Sequence, residues 1–213
     1  VLVAAIEEFA ARGLAGASVR RICARAGANV AAVNYYFGSK DALYAAVFHR
    51  LFEDYGVPLR RLAEGIASED AWRRAVRRWL ELSLRWLTDD RPPWRWIARL
   101  IVQERAAPSA MCGYLVRHVF APVRESFAEL VKMGLPAGSG EAEVRLWVNT
   151  TMAQLLLYAQ REPPWDQMLR PSGVSFSRWR RRVVEHLAGL LWMRLRYRAA
   201  GPRRSSAGRR RQA

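Results

Sequence analysis

A small residue, a glycine and a β-branched residue at Cys23, Gly27 and Val33 restrict this chain more than any other part of it. A small side chain four residues before a turn glycine lets two helices approach closely, and an apolar residue six after the glycine closes their interface. Ser18 is a good helix N-cap, and Val19, Ile22, Cys23 and Ala26 give the helix behind it one apolar face. Gly27 ends that helix because it takes a positive φ without steric cost, and Asn29 caps a second short helix through Tyr36. The pattern predicts a helix, a turn and a helix over about residues 18–37.

With the first helix packed behind it, the second can enter a DNA major groove, about 12 Å wide, and show its outer residues to base edges. Those outer residues are Asn29, Ala31, Ala32, Asn34 and Tyr35. Ser39 then caps a longer helix that starts at Lys40, where exposed backbone N–H groups and a lysine together suit a phosphate.

The run FAARG, then SVRRICARAG, then VNYYFGSKDALY resembles the N-terminal domain of TetR-family transcriptional regulators over roughly residues 1–55. NYYFGSK, with QERAAPS at Gln103–Ser109, is similar to the CecR-type subgroup. The resemblance implies an all-α fold with a helix-turn-helix DNA-binding domain over 1–55, a helical ligand-binding and dimerisation domain over 56–197, and a basic tail over 198–213. It also implies DNA contacts from Ser18, Arg20, Asn29, Ala31, Ala32, Asn34, Tyr35, Tyr36 and Lys40. Asn34 departs from the family pattern, which more often has a phosphate-contacting tyrosine there; Tyr35 and Tyr36 stand beside it to take over that contact.

Charge agrees with a nucleic-acid partner without demanding one. The 213 residues carry 35 basic and 19 acidic side chains, a net +16, which suits acidic polymers but equally describes an arginine-rich solvated surface. Cys23 and Cys112 are too far apart in sequence to suggest a disulfide framework or a metal cluster, which fits a reducing cytoplasm. Cys23 reads as a small buried hydrophobe at the helix crossing rather than an oxidant sensor. VLVAAI runs straight into Glu7 and Glu8 with no basic flank, so it reads as an amphipathic helix and not as a signal peptide. The chain has no initiator methionine and starts inside that helix, which points to a trimmed or misassigned start. No apolar run approaches the ~20 residues of a membrane span.

Catalysis finds no constellation. His49, His118 and His186 fall on three different predicted helices without ligand spacing, and the glycines at 134, 138 and 140 lack the lysine and hydroxyl residue of a phosphate loop. No enzyme, cofactor or metal is expected.

Helical periodicity fills the rest. Leu2, Ala5, Ile6 and Phe9 share a face that Gly13 ends; Leu43, Val47, Leu51 and Phe52 line a connecting helix that Gly56 and Pro58 are expected to interrupt. Helices follow over 71–87 and from Pro92 or Pro93 to Pro108, the latter carrying Ile97, Leu100, Ile101 and Glu104 on one stripe. Another runs over 110–133 with Pro122 kinking it near His118, and two long ones cover 141–160 and 176–196. Glu104 on an apolar face must be paired or reach solvent. It is read either as an ion pair with Arg99 or Arg105, or as the polar anchor of an effector pocket. Gln103, His118, Asn149 and Gln154 are its other polar candidates, with Trp86, Trp94 and Tyr114 as walls.

The last two long helices are apolar on more than one face, so one stripe is assigned to the core and the other to a second copy in a four-helix bundle. The predicted dimer residues are Val148, Leu155, Trp179, Val183, Leu187 and Leu191. GPRRSSAGRRRQA has no apolar face and reads as a disordered basic tail. The functional expectation is a homodimeric regulator, most often a repressor, released from a palindromic operator by a small molecule. A nonspecific DNA-coating protein and an effector-binding protein without operator recognition are the alternatives.

Overall fold

The computed structural model describes residues 1–89, 91, 96–160 and 164–196, and every regular element among them is helical. Trp94, the helix start expected at Pro92 or Pro93 and the 198–213 tail lie outside the described residues. The helices are α1 (Leu2–Gly16), α2 (Val19–Ala26), α3 (Val30–Phe37), α4 (Lys40–Arg61), α5 (Glu69–Leu87) and α6 (Ile97–Ala106). They continue with α7 (Cys112–Leu115), a π-helical turn (Val116–Phe120), α8 (Ala121–Gly134), α9 (Glu141–Tyr158), α10 (Trp165–Leu169) and α11 (Phe176–Arg194).

Starts and stops follow local chemistry. The hydroxyls of Ser39, Ser68 and Ser175 accept the amides of Ala42, Ala71 and Arg178 at the heads of α4, α5 and α11. Each such cap is worth roughly 1 kcal/mol. Gly13 breaks α1 with φ 65° and ψ 177°, as its position predicts, and the last residues form one further turn.

Two helices depart from the sequence reading. α4 does not stop at Gly56 or Pro58 but continues to Arg61. Pro58 falls in its last turn, where losing one N–H costs a single backbone bond, and buried Leu59 fastens that turn to the core. In the 110–133 segment Pro122 lacks the N–H that would reach the carbonyl of His118. The chain widens into the π turn, and the Ala121 amide bonds to the Val116 carbonyl instead. The short α10 was not expected from the sequence.

One apolar core runs from Ala4 to Leu195 without a gap between the N-terminal helices and the rest. Two buried tryptophans carry its centre. Trp72 Nε1 donates to the Leu130 carbonyl at 2.8 Å, and Trp79 Nε1 donates to Ser126 Oγ at 3.0 Å while its ring stacks on Phe127. A large ring with a satisfied N–H joins α5 to α8 without a polar penalty.

The dimer assignment of the sequence reading needs correction. Val148, Leu155, Val183, Leu187 and Leu191 are all buried within this one chain, and Trp179 is half-buried against Tyr158. α11 lies against α5 on one side and α9 on another, which buries Val183, Val184, Leu187 and Leu191 within the chain and leaves Leu190 half-buried. The side chains left outside are Leu146, Leu157 and Met193, which are 67%, 44% and 70% exposed.

Gly134 marks the tightest packing. A β-carbon there would sit 2.6 Å from the Trp72 ring and 2.8 Å from Leu195 Cβ, and the Gly134 carbonyl accepts the Arg196 amide. Gly134→Ala is therefore expected to lower unfolding stability by about 1–3 kcal/mol in a denaturant titration, despite the better helix propensity of alanine.

Candidate nucleic-acid interface

The predicted helix-turn-helix forms as its spacing requires. Ile22, Cys23 and Val33 are buried where α2 crosses α3, and Gly27 makes the turn with φ 62° and ψ 30°. Asn29 caps α3 by accepting the Ala31 amide at 2.7 Å. Ser18 stands at the head of α2 with extended backbone, but its hydroxyl makes no capping bond.

The outward side of α3 is unusual. Ala31, Ala32 and Asn34 are exposed, and Tyr35 and Tyr36 are 85% and 80% exposed, touching each other edge to face at 5.6 Å. These two adjacent phenol rings stay open to water although burial of their apolar surface would have been favourable.

Charge around the motif is sorted by two glutamates that the sequence reading did not use as site residues. Glu8 is buried and accepts from Arg21 Nε at 2.6 Å and from the Ser18 amide at 3.3 Å, with Arg12 at 3.5 Å. Burial alone would push its carboxyl up, but the Arg21 hydrogen bond, the Ser18 amide and the nearby arginine charges outweigh that and hold it below its ordinary value. Glu7 pairs with Arg25 at 3.0 Å. Arg20 is exposed and has no hydrogen bond or ion pair among the described residues, so it is the cation of α2 left for an outside anion. The signal for Glu8 was its spacing of four from Arg12 on an otherwise apolar face.

Lys40 is placed differently from its expected role. Its ammonium donates to the carbonyls of Ala15 and Ala17 at 3.2 and 3.3 Å, closing the end of α1, and only its third proton is left for a phosphate.

Among the described residues, most of the effector candidates make contacts of their own. Glu104 is buried but pairs with neither arginine: it accepts from Tyr44 Oη of α4 at 2.7 Å and from the Ser109 amide at 3.3 Å. Burial and that hydrogen bond drive the Tyr44 phenol well above its ordinary value, and burial beside Glu104 raises the Cys112 thiol. Gln103 donates to the Ala10 carbonyl at 2.8 Å. Tyr114 bonds His49 at 2.9 Å and its ring lies 4.5 Å from that of His118, while Trp86 packs on Phe52. Asn149 is exposed on α9 and Gln154 sits in a groove between α9 and α11. Gln103 and Glu104 of α6 are thus engaged by α1, α4 and the Ser109 amide, because helix packing brings those surfaces together. Tyr44 was missed because a tyrosine beside apolar residues carries no sequence mark of a buried partner.

Residues 1–47 match the tetR family of bacterial regulatory proteins, and residues 68–163 match the C-terminal domain of the HTH-type transcriptional dual regulator CecR. CecR of Shigella flexneri is 27% identical over 169 residues, covering 74% of this chain and 73% of that one. The regulator RutR of Escherichia coli K12 is 34% identical over 83 residues, 39% of each chain. Among solved structures, a TetR-like transcriptional regulator from Rhodococcus sp. RHA1 superposes with a TM-score of 0.61 at 22% identity, over 90% of this chain and 91% of that one. FadR from Bacillus subtilis in complex with stearoyl-CoA gives 0.65 at 14% identity, over 88% and 96%. At such identities these two structures speak for the fold alone.

The Glu8 cluster yields a pH test. A carboxylate whose folded pKa is depressed contributes stability above its ordinary range and loses it as pH falls through the lowered value. Glu8→Gln should cost about 1–3 kcal/mol at neutral pH. The gap between variant and wild type, followed by thermal melts, should narrow below about pH 4.

Proposed function

Since this chain belongs to the TetR family of bacterial transcriptional regulators, we propose that it is a ligand-responsive repressor, acting as a homodimer whose two α3 helices read a palindromic operator. The observation that carries the reading is the pair of open rings, Tyr35 and Tyr36, on a capped helix with Arg20 free beside it. Asn34, Ala31, Ala32 and Tyr35 face the bases in this reading, and Arg20 and Tyr36 hold backbone phosphates.

A single motif of this size offers few base contacts, and reading one face of DNA at two half-sites needs recognition helices about 34 Å apart. The residues proposed to hold two copies in register are now Leu146 and Leu157 of α9 and Met193 of α11, with half-buried Trp147 and Leu190 between them. Leu146, Thr150, Ala153 and Leu157 recur at helical spacing on one exposed face of α9. Effector state would reach the DNA helices through the Glu104–Tyr44 and Gln103–Ala10 bonds, which connect α6 to α4 and α1. FadR, which shares the fold, is in complex with stearoyl-CoA, and an organic effector for the helical body of this chain is proposed by analogy with it.

Selection of bound fragments from the source genome, followed by titration against random duplex, tests the reading. A regulator should prefer its operator by ~10³-fold or more, whereas a DNA-coating protein shows little preference. Tyr35→Ala should cost more on the operator than on random DNA, and Arg20→Ala should weaken both and flatten the salt slope by about one unit. Leu146→Glu with Met193→Glu should give folded monomers in sedimentation that no longer hold the operator. A persistent dimer would move the interface elsewhere.

A further inference from the structure

We propose that the outward side of α3 reads each operator half-site as A·T base pairs, through thymine methyl groups and the major-groove edge of an adenine. The inference rests on the operator reading above and adds to it the base chemistry that this helix accepts.

A G·C pair asks for charged partners that α3 does not have. Guanine takes an arginine or lysine at its O6 and N7, and cytosine gives its N4 donor to a carboxylate. The sequence of α3, VAAVNYYF, contains no charged residue at all. Of the basic side chains around it, Arg21 is paired with Glu8, Arg25 with Glu7, and Lys40 donates to the carbonyls of Ala15 and Ala17. Arg20 is free among the described residues but stands on α2, and Asp41 stands beyond α3 in the first turn of α4.

What α3 does present matches A·T. A recognition helix meets base edges with its N-terminal residues, and here those are the exposed methyl groups of Ala31 and Ala32. Their small size lets the helix come close, and an alanine methyl against the C5 methyl of thymine is an apolar contact that no other unmodified base supplies. Tyr35 lies four residues after Ala31 on the same side, so its open ring extends this apolar strip by one turn. Asn34 is exposed, and its carboxamide makes no hydrogen bond among the described residues. It can therefore accept from adenine N6 and donate to N7 at once. Asn29 is placed otherwise, since its Oδ1 is turned to the Ala31 amide as the cap of α3.

Selection from a random duplex library with the full chain, at about 0.15 M salt, tests the inference. The enriched half-sites should share a core of adjacent A·T pairs. Replacing the core thymines by uracil, which lacks only the C5 methyl, should weaken binding at least about threefold. Replacing the core adenines by 7-deazaadenine, which lacks N7, should weaken it at least about fivefold. Asn34→Ala should lose about as much on the unmodified site and then become indifferent to 7-deazaadenine. The two base analogues use the unaltered chain, so they decide the matter should Asn34→Ala not fold. A G·C core, a guanine preference that Arg20→Ala abolishes, or indifference to both analogues would overturn the inference while leaving a sequence-specific operator in place. If no sequence is enriched at all, the operator reading itself falls and this inference falls with it.

Discussion

Burial of the inner face of α4 is the constraint on which both ends of this molecule depend. Leu43, Tyr44, Val47, Phe48, Leu51, Phe52 and Leu59 are all buried, and their rings form a continuous series. Phe9 meets Tyr44 at 4.8 Å, Tyr44 meets Phe48 at 5.0 Å, Phe48 and Phe52 both meet Phe120, and Phe52 meets Trp86. Edge-to-face contacts of this kind add about 0.5–1.5 kcal/mol each beyond area burial. α1 and the recognition motif are thereby seated on the same helix that packs against α8 and the π turn.

That shared helix gives the two halves a mechanical connection. The Tyr44 hydroxyl has Glu104 as its partner inside the core, so a displacement of α6 must either carry α4 with it or break a buried hydrogen bond. A buried polar group left without a partner is costly, which makes concerted movement the cheaper course. Gln103 on the Ala10 carbonyl adds a second tie to α1. The helical body is thus tied at two points to the N-terminal helices.

Electrostatics divides into pairs that shape the fold and cations that do not. Exposed pairs such as Arg73–Glu69 and Lys132–Glu129 are worth no more than about 1 kcal/mol each, because water screens them. Glu8 differs since its carboxylate is buried and gathers a backbone amide and two arginines, fixing the angle between α1 and α2. Arg20 stays outside this accounting, being exposed with no hydrogen bond or ion pair among the described residues.

The sequence by itself determined the local architecture. Ser39, Asn29, Gly13 and Gly27 each act through their own backbone and nearest neighbours, so their caps and turns were legible from residue type and spacing, and with them the burial of Cys23 and Val33. Tertiary structure alone decided which partner each polar group found and which apolar stripe stayed uncovered. Glu104 was marked as a buried acid by its stripe, but its partner lies 60 residues away on α4, and no period in the sequence records that distance. Likewise α9 and α11 were legible as doubly apolar, yet Leu155 and Leu191 went to the chain's own core because α11 is wedged between α5 and α9. Helical spacing says which residues share a face; only the packing of several helices at once says what that face meets.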